Sequence, residues 1–154
     1  MKKPILLVLS YFIFLIIFFV NISFAEDFYR FRTMGQLNNQ TINLPDKSIF
    51  NMFKAEGAFT DSDGNYGDLS ARGVRETDSE GKLIKINVLL IFEAIDGSKL
   101  YAKPNRINSE LGSGAGYFDI LFASGKFQKL LGLQCNYGTT ITEKEAFIME
   151  GICK

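Results

Sequence analysis

From residue 53 to the C-terminus, apolar and polar side chains alternate in short runs. Phe53, Ala55, Gly57 and Phe59 share one parity, with Lys54, Glu56 and Thr60 between them. A period of two puts neighbours on opposite faces of an extended chain, so it predicts a strand with one buried face. Tyr66 to Thr77 reads as the next strand. Leu83 to Ile95 is the strongest, with Ile84, Ile86, Val88, Leu90, Phe92 and Ala94 on one face. Its other face carries Lys85, Asn87, Leu89, Ile91 and Glu93, and its β-branched content argues against a helix. Lys99 to Ile107 follows, with Pro104 marking an edge, a bulge or an early end. Gly114 to Ala123 sets Gly116, Phe118, Ile120 and Phe122 on one face. Lys126 to Leu131 fits either a strand or a brief helical turn. Gly132 to Ile141 and Ala146 to Cys153 are the last two strands.

The breaks between these runs are rich in turn residues. Asp61-Ser62-Asp63-Gly64-Asn65 and Asp78-Ser79-Glu80-Gly81 tolerate left-handed backbone. Asp96-Gly97 reads as a two-residue type I′ hairpin, which needs positive φ at both central positions. Upstream the pattern weakens. Phe28 to Arg32 alternates as a short edge strand, Gln36 to Gln40 is polar, and Pro45-Asp46 signals a turn. A helical turn over Asp46 to Phe53, capped by Asp46 or Ser48, fits this stretch. Residues 26–47 are therefore expected as an N-terminal arm lying across a β domain at 48–154. Without any 10–15-residue helical pattern, parallel βαβ units are excluded. The prediction is an all-β fold, a small antiparallel up-and-down barrel of about seven to eight strands filled by Phe rings. Successive hairpins build a meander, and closure removes reactive edges.

The first 25 residues have a different character. Lys2 and Lys3 precede an apolar run from Ile5 to Val20, and Ser23 and Ala25 supply small residues ahead of Glu26-Asp27. This is the layout of a signal peptide cut after Ala25, giving an exported, periplasmic or extracellular protein with no membrane attachment. The run is also nearly long enough to span a bilayer as a retained anchor. Removing the leader takes two lysines from the 17 basic residues and none of the 17 acids, so the remainder carries a net charge of −2. That balance excludes a phosphate-binding surface and hence a nucleic-acid partner. The chain has no His, which rules out Ser-His and Cys-His catalysis and histidine metal sites. No cofactor is called for.

Cys135 and Cys153 are the only cysteines. Export permits them to join, and two thiols alone cannot complete a tetrahedral zinc site. Pairing them across an antiparallel hairpin centres it on residue 144, so Glu143-Lys144-Glu145 falls at its tip. Opposed residues then lie within disulfide reach, with a slipped register as the alternative. Such a bridge contributes about 3 kcal/mol.

Other candidates have plainer readings. In the Asp61 loop Gly stands fourth and Arg72 twelfth, so the EF-hand pattern fails and a hairpin tip is the better account. Gly112-Ser113-Gly114-Ala115-Gly116 looks like a phosphate cradle, but a strand follows it, which fits a bulge or close packing. Ser79-Glu80-Gly81-Lys82 spells Ser-x-x-Lys on a turn rather than a helix. Glu93, Arg106, Glu110, Tyr117 and Asp119 remain as candidate ligand-binding residues, an Arg–carboxylate cluster at a barrel mouth, against the reading of surface ion pairs. Leu89 and Ile91 on the mixed face point to a homo-oligomer contact or to cover by the arm.

The stretch from Gly114 to Tyr137 has a Gly-rich strand, a Ser-Gly-Lys-Phe turn at 124–127, a Leu-Gly step and a further strand. It resembles small barrels of the dirigent and allene-oxide-cyclase type and related lipocalin-like domains. Gly64-Asn65-Tyr66-Gly67 and the closing stretch from Leu133 to Tyr137 are similar to those of small exported bacterial barrels. The resemblance spans residues 53–154, rests on structural glycines and implies the barrel. Its enzymatic branch uses a cavity to steer an apolar substrate, but none of that branch's catalytic residues maps onto this chain. Two functions follow. One is a non-enzymatic exported barrel that binds a small, partly apolar ligand or a protein partner. The other is an isomerase or cyclase acting by cavity shape, with Tyr117, Glu93 or Asp119 moving protons.

Overall fold

Alternating side chains and short polar breaks produce eight strands in a computed structural model that describes residues 28–107 and 112–154. The leader at 1–25 and Glu110 lie outside the described residues. The strands are β1 (Tyr29–Asn43), β2 (Ile49–Asp61), β3 (Tyr66–Thr77), β4 (Leu83–Ala94), β5 (Lys99–Arg106), β6 (Ser113–Ala123), β7 (Cys135–Ile141) and β8 (Ala146–Cys153). They run antiparallel in chain order, and β8 returns to β1 to close the barrel. The fold is the predicted all-β up-and-down barrel. A 3₁₀ turn, Gly125–Leu130, is the one helical element among the described residues.

The expected arm is part of the wall. β1 pairs with β2 from Phe31↔Asp61 to Asn43↔Ile49, and with β8 from Tyr29↔Cys153 to Gln36↔Ala146. Leaving it out would expose two unpaired edges, so ladder hydrogen bonds override its weak pattern. No helical turn forms after Asp46. Asp46 Oδ1 instead accepts from Ser48 N at 3.0 Å and Ser48 Oγ at 2.6 Å, and β2 begins at Ile49.

Five hairpins share one turn. In Leu44–Ser48, Asp61–Asn65, Asp78–Lys82, Ala94–Ser98 and Thr142–Ala146, the first residue's N–H donates to the fifth carbonyl and the fourth N–H to the first carbonyl. The fourth residue has positive φ each time: Lys47, Gly64, Gly81, Gly97 and Glu145. This is a three-residue loop with a bulge, not the two-residue type I′ turn expected at Asp96-Gly97, where Gly97 takes φ 83°.

The disulfide joins Cys135 to Cys153, which are register partners in the β7–β8 hairpin with Cα atoms 3.9 Å apart. The same register places Ile141 opposite Phe147 and leaves residues 142–145 at the tip, as predicted. Two phase expectations fail. An extra residue in β6 (Tyr101 faces Phe122 but Ala102 faces Ile120) turns Phe122 outward and Ala123 inward. Ile84, at the start of β4, is exposed rather than part of the buried face.

The wall is uneven. β1 to β4 pair along nearly their whole lengths. β4 and β5 pair only from Leu90↔Ala102 to Glu93↔Lys99. Pro104 lies just past that ladder, still paired with Phe118 of β6, and its lack of an N–H suits the side of β5 that faces no ladder.

Candidate functional site

Inward side chains divide the lumen into two halves. At the end carrying the disulfide, the rings of Phe31, Phe59, Phe92 and Phe118 pack edge-on or tilted at centroid separations of 5.5–5.7 Å. Phe127 and Leu130 of the 3₁₀ turn enter from outside, each 1% exposed, and Phe127 meets Phe59 at 5.9 Å. Each buried ring contributes about 2–3 kcal/mol of apolar transfer. The plug is fastened at its rim: Ser98 Oγ accepts from Lys126 N at 3.1 Å, and Lys126 Nζ pairs with Asp96 at 3.0 Å.

The opposite half is not filled. A cavity of about 100 Å³ opens there, lined by Leu37, Ala71, Ile86, Arg106, Tyr137 and Phe147 among others. Tyr137 stacks on Phe118 at 4.7 Å, so the ring chain that begins at Phe127 ends in a phenol on the cavity wall. Burial pushes the Tyr137 hydroxyl above its ordinary 10, while the Arg106 charge pulls it back in part. The phenol therefore stays protonated at neutral pH and is a hydrogen-bond donor.

Two glycines on β6 make room for these groups. A Cβ at Gly114 would lie 2.5 Å from the Arg106 guanidinium, and one at Gly116 would lie 1.9 Å from the Asn105 carbonyl oxygen and 2.9 Å from the Tyr137 ring. The Gly-x-Gly of the apparent phosphate cradle thus serves close packing. Arg106 Nη2 donates to the Ser113 carbonyl, which holds the guanidinium at the mouth.

Beyond the cavity the inward positions turn polar. Asn39 and Asn51 stand on β1 and β2, and Arg75 follows Leu69, Ala71 and Gly73 in the inward phase of β3. Asn51 Oδ1 accepts from Thr41 Oγ1 at 2.7 Å, and Asn39 Nδ2 donates to Glu145 at 2.7 Å. Arg75 Nε is buried with no hydrogen-bond partner. Desolvation lowers the pKa of Arg75, and the charge of Glu145 acts the other way.

Of the four singled-out residues that the structure describes, Arg106 alone lines the cavity. Glu93 points outward and pairs with Lys99 at 3.1 Å. Asp119 is exposed and accepts from Asn105 Nδ2 at 2.6 Å. Tyr117, 39% exposed, shares their outer face. Sequence reasoning missed Tyr137 and Arg75. Strand phase carried the signal for both, because Tyr137 is two residues from buried Cys135 and Arg75 two from buried Thr77. The Asp61 carboxylate is taken up by its own turn, accepting from Asp63 N, Asn65 N, Asn65 Nδ2 and Tyr29 Oη at 2.8–3.0 Å. This agrees with a hairpin tip.

A larger, shallow concavity of about 700 Å³ lies against the outer wall, where Met52, Leu89 and Leu121 alternate with Lys54, Arg72 and Lys103. Ile91 is half-buried beside it on β4.

The fold and cavity define a closed eight-stranded antiparallel barrel, plugged at one end and hollow at the other. A crystal structure described as an enzyme from Penicillium herquei has the same fold, with a TM-score of 0.59 at 12% identity over 83% of this chain and 94% of that one. At that identity the likeness extends to the fold alone. No family model and no curated protein matches the chain. Among the described residues no helix is long and apolar enough to cross a membrane. The disulfide is of a kind that persists in oxidising compartments.

Proposed function

We propose that this is an exported barrel that holds a small, partly apolar ligand in the hollow half of its lumen. The observation that carries the reading is the contrast within one lumen. Rings fill one half, while the other keeps an apolar cavity edged by a few polar groups, the usual make-up of a small-molecule site. An apolar cavity of about 150 Å³ accommodates benzene, so a volume of this order suits a single ring or a short alkyl chain. The wider outer concavity is too open to exclude water from such a ligand.

Binding is favoured over the isomerase or cyclase reading. Proton abstraction needs an acceptor near neutral pH, and among the described residues the ionisable groups that line the cavity, Tyr137 and Arg106, are both donors there. Native mass spectrometry of the protein purified from the producing cell tests the proposal. A small-molecule adduct that disappears in Ala71→Leu, which fills the cavity, is the expected result. A bare mass under all conditions, with no thermal shift from small aromatic or aliphatic compounds, would overturn it.

Homo-oligomerisation through Leu89 and Ile91 is the second reading, because Leu89 is 37% exposed within the outer apolar concavity. A monomeric mass in light scattering, unchanged by Leu89→Glu, would remove it.

A further inference from the structure

We infer that the lumen ligand is an anion, a carboxylate on a single ring or short chain, bound with its apolar part in the cavity and its head group at the arginine-bearing mouth. This rests on the lumen-binding reading above and adds the chemical class and orientation.

Three observations support it. First, the polarity of the inward positions is graded along the barrel axis. The ring-filled half gives way to the apolar cavity walls of Leu37, Ala71 and Ile86, then to Asn39, Asn51 and Arg75. A ligand that matches this gradient has one apolar end and one polar end.

Second, two guanidinium groups stand at this end. Arg106 lines the cavity itself, and Arg75 faces inward on β3 at the same end. Guanidinium forks match carboxylates in a bidentate manner and are less strongly hydrated than ammonium groups, so they suit a partly desolvated ion pair. The carboxylate whose field reaches Arg75 is that of Glu145, which is exposed and held by Asn39. No ion pair joins Arg75 to Glu145 among the described residues. Arg75 Nε is thus a buried donor without an acceptor, a costly arrangement that an anion would relieve.

Third, the site is built in advance. Gly114 clears the space for the Arg106 guanidinium, and the Ser113 carbonyl holds it. Tyr137 is fixed by stacking on Phe118 and presents a neutral hydroxyl to the same cavity. Among the described residues no carboxylate lines the cavity to repel the head group.

Matched acid and alcohol pairs test the inference: benzoate against benzyl alcohol, and hexanoate against hexanol. Each is titrated calorimetrically into the disulfide-bonded protein after removal of any copurifying molecule. The acid is expected to bind about tenfold or more tightly than its alcohol. Arg75→Met and Arg106→Met should each reduce that preference. If either variant fails to fold, the acid–alcohol ratio on the unsubstituted protein still decides. Equal binding of acid and alcohol would overturn the anionic head group and leave lumen binding intact. An undiminished preference in both folded variants would overturn the role of the arginines. Binding of neither member of either pair would remove the lumen reading and this inference together.

Discussion

The two ends of the barrel solve opposite problems with the same strands. At the disulfide end, large rings meet in the lumen and a 3₁₀ turn inserts Phe127 and Leu130 between them. At the other end, small and branched side chains leave the cavity, and the rim positions are Asn39, Asn51 and Arg75. Dense packing is concentrated at the first end, which leaves the second free to hold a cavity. A molecule this small has limited core to spend, so a cavity is tolerable only where the remainder is well packed.

The sharpest way to break this contrast is to empty the plug. Phe127→Ala should cost about 4 kcal/mol, while Phe53→Ala, half-buried near the cavity, should cost about half of that or less. Urea unfolding of the two variants checks this, and equal losses would mean that the ends do not differ in packing. Next, reduction of Cys135–Cys153 should remove about 3 kcal/mol, since the bridge restrains the unfolded chain and fastens β8 at the plugged end. An unchanged denaturation midpoint in dithiothreitol would contradict it.

A smaller change should go the other way. Thr33 is 1% exposed and its hydroxyl has no hydrogen-bond partner. Thr33→Val keeps the shape and removes the buried polar group, so the protein should gain about 1 kcal/mol by thermal unfolding. A loss would show that the hydroxyl is satisfied in solution.

The least effect belongs to Asp96, whose carboxyl is lowered to about 2, mainly by the backbone N–H of Ser98 and then by Lys126 of the plug. A depressed carboxyl pKa stabilises the folded chain above the ordinary value of 3.8, and this is lost as pH falls through about 2. A carboxyl NMR titration should place the Asp96 midpoint near 2. A midpoint near 3.8 would detach Asp96 from the rim of the plug.

The plugged end was the legible one. β3 and β8 begin and end where alternation placed them, and the β7–β8 register followed from two cysteines and a charged tip. Apolar periodicity reports burial against a core, and this half of the barrel is core. At the mouth, inward residues are polar on purpose of geometry rather than packing, so β1 lost its pattern from Gln36 onward and read as an arm. The same blindness hid Arg75, an inward residue that looked like a surface charge. Glu93, Tyr117 and Asp119 attracted notice as chemistry-bearing types, although their phase against Phe92, Gly116 and Phe118 already put them outside. The bulge in β6 was invisible because nothing local distinguishes Leu121 from an ordinary strand residue.

Tyr29 and Cys153 stand side by side in the β1–β8 ladder. A cylinder whose outermost staves are neighbours has no intrinsic beginning. Joining residue 28 to 154 with a few glycines and cutting at the exposed Asp63-Gly64 tip should yield a permuted chain that closes into the same cylinder. In that molecule the sulfur bond would move from the trailing edge of the polypeptide to its interior.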